Sequence, residues 1–257
     1  MKKVYAKKKF GQNFLIDKNI IKKIINLLND TNLDIIEIGP GRGALTNELV
    51  KLNNKITAFE IDKDMVEILS NNIQSSNFNL IFGDFLEQNL SEINDSIVIA
   101  NIPYYITTDI LFKIFDNRNK IKKAILMVQK EVAQRINAKH NTNEYSKLSV
   151  SAQFLSKTAI EFFVPSKCFS PAPKVDSAIL SLEFKDDISD SDWQKYKNFF
   201  KLCFANRRKK LIFSLKQVYD LKKIENVFQK LKYNENLRIQ QLKTEEIIEL
   251  FNELEAN

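Results

Sequence analysis

Glycine is scarce in this chain. It has five in 257 residues, where average usage of about 7% would give roughly 18. A sequence that has dispensed with glycine nearly everywhere keeps it where a Cβ would clash or φ must be positive. Three of the five (Gly39, Gly41 and Gly43) fall within five residues. Histidine is scarcer still: His140 is alone, so a Ser-His-Asp triad or a histidine-rich metal site has little to draw on. The two cysteines, Cys168 and Cys203, show no CxxC spacing. That argues against a disulfide framework or a zinc site and suits a reducing cytosol. No apolar run approaches the roughly 18 residues of a membrane span. The opening "MKKVYAKKKFGQNFL" is basic but lacks the apolar stretch and cleavage site of a secretory signal. The expectation is a cytoplasmic protein with no metal and no membrane association.

Lysine is what the chain has in excess. The formal charge is +7, concentrated as "KKK" (Lys7, Lys8, Lys9), "KIKK" (Lys120, Lys122, Lys123) and "RRKK" (Arg207, Arg208, Lys209, Lys210). Such clusters are either solvated surface or a footprint for a phosphate backbone, and charge alone does not choose between the two.

The apolar pattern alternates. "DKNIIKKIINLLND" (17–30) spaces its apolar residues as an amphipathic helix, with Asp17 as N-cap. "LDIIEIG" (33–39) reads as a strand and "ALTNELVKL" (44–52) as a helix. "KITAFEID" (55–62) is a strand and "KDMVEILSNNI" (63–73) a helix. "FNLIFGD" (78–84) and "SIVIAN" (96–101) are further strands, and a helix over about 107–116 leads into "KAILMVQ" (123–129). Strands alternating with helices imply an α/β fold with a mostly parallel sheet covered on both faces. Beyond residue 130, "KEVAQRINA" and "YSKLSVSAQFL" are helical. "AIEFFV" and "VDSAILSLEF" (175–184) could pair antiparallel at the sheet edge. The polar stretch "KDDISDSD" (185–192) marks a boundary, dividing the chain into residues 1–185 and a helical domain over 186–257.

"EIGPGRGALT" (37–46) joins strand, glycine-rich turn and helix, which lets backbone N–H groups approach a nucleotide cofactor closely. Glu60 ends the next strand, where a carboxylate can hold both ribose hydroxyls. Gly39, Gly41 and Ala44 also satisfy the dinucleotide fingerprint, so a dehydrogenase stays open at this point. Asp84, in "FGDF", follows a third strand. It is either an ordinary helix-capping aspartate or an acceptor for an adenine amino group. "NIPYYI" follows a fourth. Asn101 and the carbonyl of Ile102 are two acceptors for the two hydrogens of an exocyclic amine, a geometry that would favour its nucleophilic form. Pro103 fixes the turn and adds no competing N–H. Tyr104 can stack on the base. The plain alternative is a turn that merely ends the strand.

Read together, "FGQNFLID", "EIGPGRGALT", "FEID", "GDF", "NIPYYIT", "LMVQKEVAQRI" and "FSPAPKVDSAIL" resemble, in order and spacing, the motifs of the rRNA adenine N6-dimethyltransferases. "FANRRKKLIFSL" (204–215) is similar to the KsgA/RsmA branch rather than to its sister, the Erm branch. The resemblance implies a Rossmann-like class I methyltransferase sheet with an antiparallel last strand and a small all-α C-terminal domain that contributes to rRNA binding. It implies S-adenosylmethionine as cofactor, held by Asn13, Leu15, Gly39, Gly41, Glu60, Asp84 and Asn101. It assigns catalysis to Asn101, Ile102, Pro103 and Tyr104, with Phe169 stacking on the flipped adenine opposite Tyr104. Without the family, Phe169 reads as a packing anchor. The implied partner is 16S rRNA in an immature small subunit, where two adjacent adenosines of the 3′-terminal hairpin are dimethylated by a monomeric enzyme. Rivals are an Erm-type 23S rRNA methyltransferase, a non-catalytic assembly factor and an NAD-dependent oxidoreductase.

Overall fold

The computed structural model describes Lys7, residues 10–28 and residues 31–256. In chain order its elements are β1 (Phe14–Leu15), α1 (Lys18–Asn26), β2 (Asp34–Ile38), α2 (Thr46–Leu49), β3 (Ile56–Glu60), α3 (Lys63–Asn72), β4 (Phe78–Phe82) and β5 (Ser96–Asn101). There follow α4 (Thr107–Asp116), β6 (Ile121–Gln129), α5 (Lys130–Ile136), α6 (Lys147–Leu155), β7 (Ser156–Val164), β8 (Phe169–Ser170) and β9 (Ser177–Phe184). The tail supplies α7 (Asp190–Phe204), α8 (Leu211–Leu215), α9 (Leu221–Lys230) and α10 (Thr244–Glu255).

Asp17 starts α1 as its composition predicts, accepting from the backbone N–H groups of Asn19 and Ile20 at 2.8 and 3.1 Å. Those hydrogen bonds, led by Ile20, hold its carboxyl below the usual carboxylate range. Ile21 and Ile24 then fall on one face of the helix and join Ile97, Ile99, Ile125 and Met127 in a single core. Alternate residues on the same strands (Val98, Ala100, Ala124 and Leu126) are buried on the opposite face, as a sheet covered on both sides requires. On α4, Ile110, Leu111, Ile114 and Phe115 are buried. Truncating a residue such as Ile24, 2% exposed, to alanine would cost about 2–5 kcal/mol.

The main sheet has seven strands in the order β4-β3-β2-β5-β6-β9-β7. β4, β3, β2, β5 and β6 are mutually parallel, and β9 runs antiparallel to β6. The antiparallel last strand and the class of fold are therefore as expected. After β4 the chain returns to place β5 on the other side of β2. That reversal opens a crevice beyond the carboxyl ends of β2 and β5, the position where open α/β sheets bind ligands.

The local structure differs in two places from the pattern expected. The helix expected over 44–52 is regular only at Thr46–Leu49. Glu48, Lys51 and Leu52 close i→i+3 turns onto Leu45, Glu48 and Leu49, so tighter turns flank the regular part. A second sheet, β1 with β8, pairs Phe14 with Ser170 and Leu15 with Phe169 antiparallel.

The chain forms two compact units. One runs to Ala133 and resumes over Thr158–Phe184; the other takes Gln134–Lys157 and the chain from Lys185 onward. The sequence pattern grouped 134–157 with the sheet, but its side chains pack with the tail helices. The Phe154 ring lies 4.6 Å from Tyr196 and 5.7 Å from Phe200 between centroids. Phe199 and Phe251 approach to 5.0 Å in the same aromatic core. Among the described residues no strand follows Phe184.

Candidate active site

One cavity collects residues from the carboxyl ends of β2, β3, β4 and β5 and from the segment that precedes β1. Asn13, Leu15, Gly39, Gly41, Glu60, Asp84, Asn101, Ile102, Pro103 and Tyr104 all line it. The structure thus brings together every residue expected at the cofactor and catalytic loops except Phe169.

The turn after β2 is built by glycine for two reasons. Gly39 has φ of +64°, and a Cβ there would meet no atom within 4 Å. Its requirement is the left-handed backbone, and the space a side chain would occupy is open. Gly41 has φ of +57°, and a Cβ there would come within 3.1 Å of the Phe14 ring. The Gly41 N–H donates to Oε2 of Glu60 at 2.9 Å, and the Asp62 N–H donates to Oε1 at 2.8 Å. Both oxygens are thereby oriented while each retains a lone pair for a ligand. Burial holds the Glu60 carboxyl above the usual range, opposed by these backbone donors.

Glu37, which the sequence reading passed over, lies two residues before Gly39 and is 2% exposed. It accepts from the Thr46 hydroxyl at 2.8 Å. Burial pushes its pKa up to about 8, with the nearby Glu60 charge adding to the effect and Thr46 opposing it. An acid set within the apolar run 35–38 was the available signal. Asp84 accepts from the Leu86 N–H at 2.9 Å, so it caps the turn after β4 and lines the cavity as well. Glu37, Glu60 and Asp84 share the cavity wall with the cationic side chain of Arg42, whose guanidinium carbon sits 4.4 Å from the centroid of Phe14. Such a wall suits a ligand rich in hydroxyl groups and positive charge.

The loop after β5 is held differently. Nδ2 of Asn101 donates to the carbonyl of Asn13 at 2.8 Å. A carbonyl only accepts, so this bond fixes which end of the amide is oxygen and leaves Oδ1 as the acceptor. The Ile102 N–H donates to Met127 O on β6 at 3.1 Å. Thr107 Oγ1 lies 3.3 and 3.2 Å from the carbonyls of Pro103 and Tyr104. The Tyr104 hydroxyl is 2.8 Å from Ser177 Oγ, and burial raises its phenol above the ordinary value.

Phe169 is a correction. It is 3% exposed, packs in the core with Leu15 and Cys168, and does not line the cavity. Its place in β8 explains this. Side chains alternate along a strand, and the pattern turns Phe169 inward and Ser170 outward.

The basic clusters divide. Lys8 and Lys9 lie outside the described residues. Lys7 pairs with Asp62 and Asp64 at 2.5 and 2.6 Å, and Gln12 also donates to Asp62 at 2.8 Å. These partners outweigh burial and lower the Asp62 pKa. They tie the segment before β1 to the turn after β3, a link between residues 55 apart that no local pattern could show. Lys123 donates to Leu27 O at 2.9 Å and lies 3.9 Å from Glu183. Lys122 lies 3.7 Å from Asp95, and Lys120 is partly exposed. Arg207 donates to the carbonyls of Asn143 and Tyr145, both at 2.7 Å. Arg208, Lys209 and Lys210 are exposed.

The sheet order, the glycine turn, the acid ending the adjacent strand and the Asn-x-Pro-Tyr loop together define the nucleoside-cofactor crevice of a class I methyltransferase fold. Solved structures share that fold. A dimethyladenosine transferase from Plasmodium falciparum superposes with a TM-score of 0.80 at 27% identity, covering 92% of this chain and 95% of that one. The 23S rRNA methyltransferase ErmE superposes with a TM-score of 0.71, also at 27% identity, covering 95% and 100%. In sequence, the ribosomal RNA small subunit methyltransferase A of Mycoplasmopsis synoviae is 52% identical over 248 residues, 96% of each chain. The family model for ribosomal RNA adenine dimethylase matches residues 4–256. This chain belongs to the ribosomal RNA adenine dimethylase family.

Proposed function

We propose that the protein transfers methyl groups from S-adenosylmethionine to N6 of two adjacent adenosines in the 3′-terminal hairpin of 16S rRNA, within an immature small subunit in the cytoplasm. The observation that carries this reading is the cavity itself. Four successive strand ends deliver an acid-walled half and an amide-and-tyrosine half to one space.

The residues present fit the cofactor. Gly39 leaves open the space beside the turn, Glu60 offers two oriented oxygens for ribose hydroxyls, and Asp84 offers an acceptor for the adenine amine. When bound, S-adenosylmethionine supplies a methyl group on a sulfonium centre. The chain's own part is to aim the nucleophile. In the first transfer, Oδ1 of Asn101 and the Ile102 carbonyl accept hydrogen bonds from the two N6 hydrogens, which turns the nitrogen lone pair toward the methyl. Tyr104 stacks on the base, an interaction worth about 1–3 kcal/mol. No strong base is needed, because N6 becomes acidic once alkylated and loses its proton to these acceptors or to water. Positioning supplies most of the acceleration. A paired adenine cannot reach this cavity, so the target is unpaired or extruded.

Arg208, Lys209 and Lys210 are the basic side chains best free to meet phosphate, and the helical unit that carries them contributes to rRNA binding. Lys7, Lys123 and Arg207 already hold protein partners, which weakens the expectation for them. The deciding experiment supplies labelled S-adenosylmethionine with immature 30S or with 50S particles and maps the modified base. Dimethyladenosine confined to small-subunit rRNA is expected; label confined to 50S would establish the Erm-type reading instead.

A further inference from the structure

Tyr104 is held at both ends. Its backbone is fixed by Pro103 and by the Thr107 hydroxyl, and its phenol meets Ser177 Oγ at 2.8 Å across 73 residues of chain. Ser177 opens β9, pairs with Gln129 of β6 in the sheet ladder, and is fully buried. The residue before it is pinned as well: Asp176 accepts from the Lys130 N–H through its carbonyl at 3.0 Å and from the Ser166 N–H through Oδ1 at 2.9 Å. The serine hydroxyl is therefore presented from a rigid element outside the cavity wall.

We propose that Ser177 is a positioning residue for methyl transfer, which fixes the placement of the Tyr104 ring through its hydroxyl so that the incoming adenine stacks with N6 aligned on Asn101. The inference rests on the adenine-N6 reading above. A tyrosine anchored only at its Cβ retains rotation about χ1 and χ2, and a base stacked on a rocking ring would sample misaligned orientations. Anchoring the phenol oxygen fixes χ1, and the preference of the O–H for the ring plane restrains χ2, before the substrate arrives, as a preorganised site requires. Tyrosine rather than phenylalanine at 104 is then explained by the bond to Ser177, since stacking needs only the ring.

The test is a double-mutant cycle of Ser177→Ala and Tyr104→Phe, which delete the same hydrogen bond from opposite sides and both keep the aromatic ring. Wild type is first required to methylate immature 30S rRNA. If it does not, the functional reading fails and the role of Ser177 falls with it. If it does, each single variant should lower single-turnover rate by about 5- to 30-fold at saturating cofactor, with cofactor affinity within about twofold of wild type. The double variant should be no slower than either single one, because coupled groups are not additive. RNA carrying 2-aminopurine at the target should be quenched less in both variants. Additive losses, or unchanged rate and quenching in Ser177→Ala, would overturn the proposal. Thermal melting of each variant, together with cofactor titration, separates a folding defect from a positioning one, since Ser177→Ala leaves only the partly exposed Tyr104 phenol without its partner and is expected to melt near wild type and still be slow.

Discussion

The two halves of the cavity are built on opposite principles. The half at β2, β3 and β4 is lined by Glu37, Glu60 and Asp84, two of them almost wholly buried. The half at β5 is lined by Asn101, Pro103 and Tyr104, which carry no charge and are fixed by hydrogen bonds to Asn13, Thr107 and Ser177. Buried acids cost free energy unless something compensates, so the first half favours a polar, cationic cofactor. The second half need only aim a neutral amine. On the proposed function, affinity belongs to one side and orientation to the other, and the division breaks wherever a substitution on one side behaves as though it were on the other.

The largest effect should come from the neutral half. Asn101→Ala removes one of the two acceptors proposed for N6 and should slow single-turnover methylation by about 100-fold or more, the scale seen when one preorganised hydrogen-bonding group is removed. It also releases the Asn13 carbonyl, so a smaller, few-fold loss of cofactor affinity is expected alongside.

Glu60→Ala acts on the other half. It deprives the Gly41 and Asp62 N–H groups of their acceptor and the cofactor ribose of its proposed ligand. Hydrogen bonds to charged groups are worth about 1.5–3 kcal/mol, so calorimetry should show cofactor binding weakened by about 10- to 100-fold.

Glu37 gives the acidic half a pH signature. Its pKa is raised in the folded chain, to about 8, above its unfolded value near 4.3. Between those values the folded state holds a proton that the unfolded state has released, so this group's contribution to stability falls as pH rises through that window. Below it, both states are protonated and the contribution is flat. Melting temperature should therefore decline from about pH 5 to 8 in the wild type and decline less in Glu37→Gln. An identical pH slope in the two proteins would remove Glu37 as the source of that signature.

The smallest effect on either half should follow from charge reversal at Arg208, Lys209 and Lys210. Cofactor affinity should be unchanged, while the slope of log binding constant against log salt for RNA becomes shallower by roughly 0.7–0.9 for each phosphate no longer neutralised. An unaltered slope would show that these side chains do not meet the backbone.

The separation of the halves also decides what was legible in the sequence. Gly39, Glu60, Asp84 and Asn101 each sit at the end of an apolar strand, and a parallel sheet brings such ends to one edge. Local spacing was enough to place them together. β1 and β8 are two residues each and lie about 155 residues apart, too short for any periodicity, so their pairing and the burial of Phe169 were not legible. "KEVAQRINA" and "YSKLSVSAQFL" read as helical, but helical periodicity does not tell which unit a helix packs in. Lys7, Lys123 and Arg207 read as charge available to RNA because their partners are far away in sequence or are backbone carbonyls. Glu37 was visible in "EIGPGRG", yet only its burial distinguishes it from a surface acid.

The most direct test compares Glu60→Ala and Asn101→Ala in single-turnover methylation of immature 30S rRNA at rising cofactor concentration. Separate halves predict that Glu60→Ala approaches the wild-type rate once cofactor saturates, while Asn101→Ala stays slow at every concentration. Recovery of Asn101→Ala by cofactor alone, or failure of Glu60→Ala to recover, would contradict the division between holding the cofactor and aiming the base.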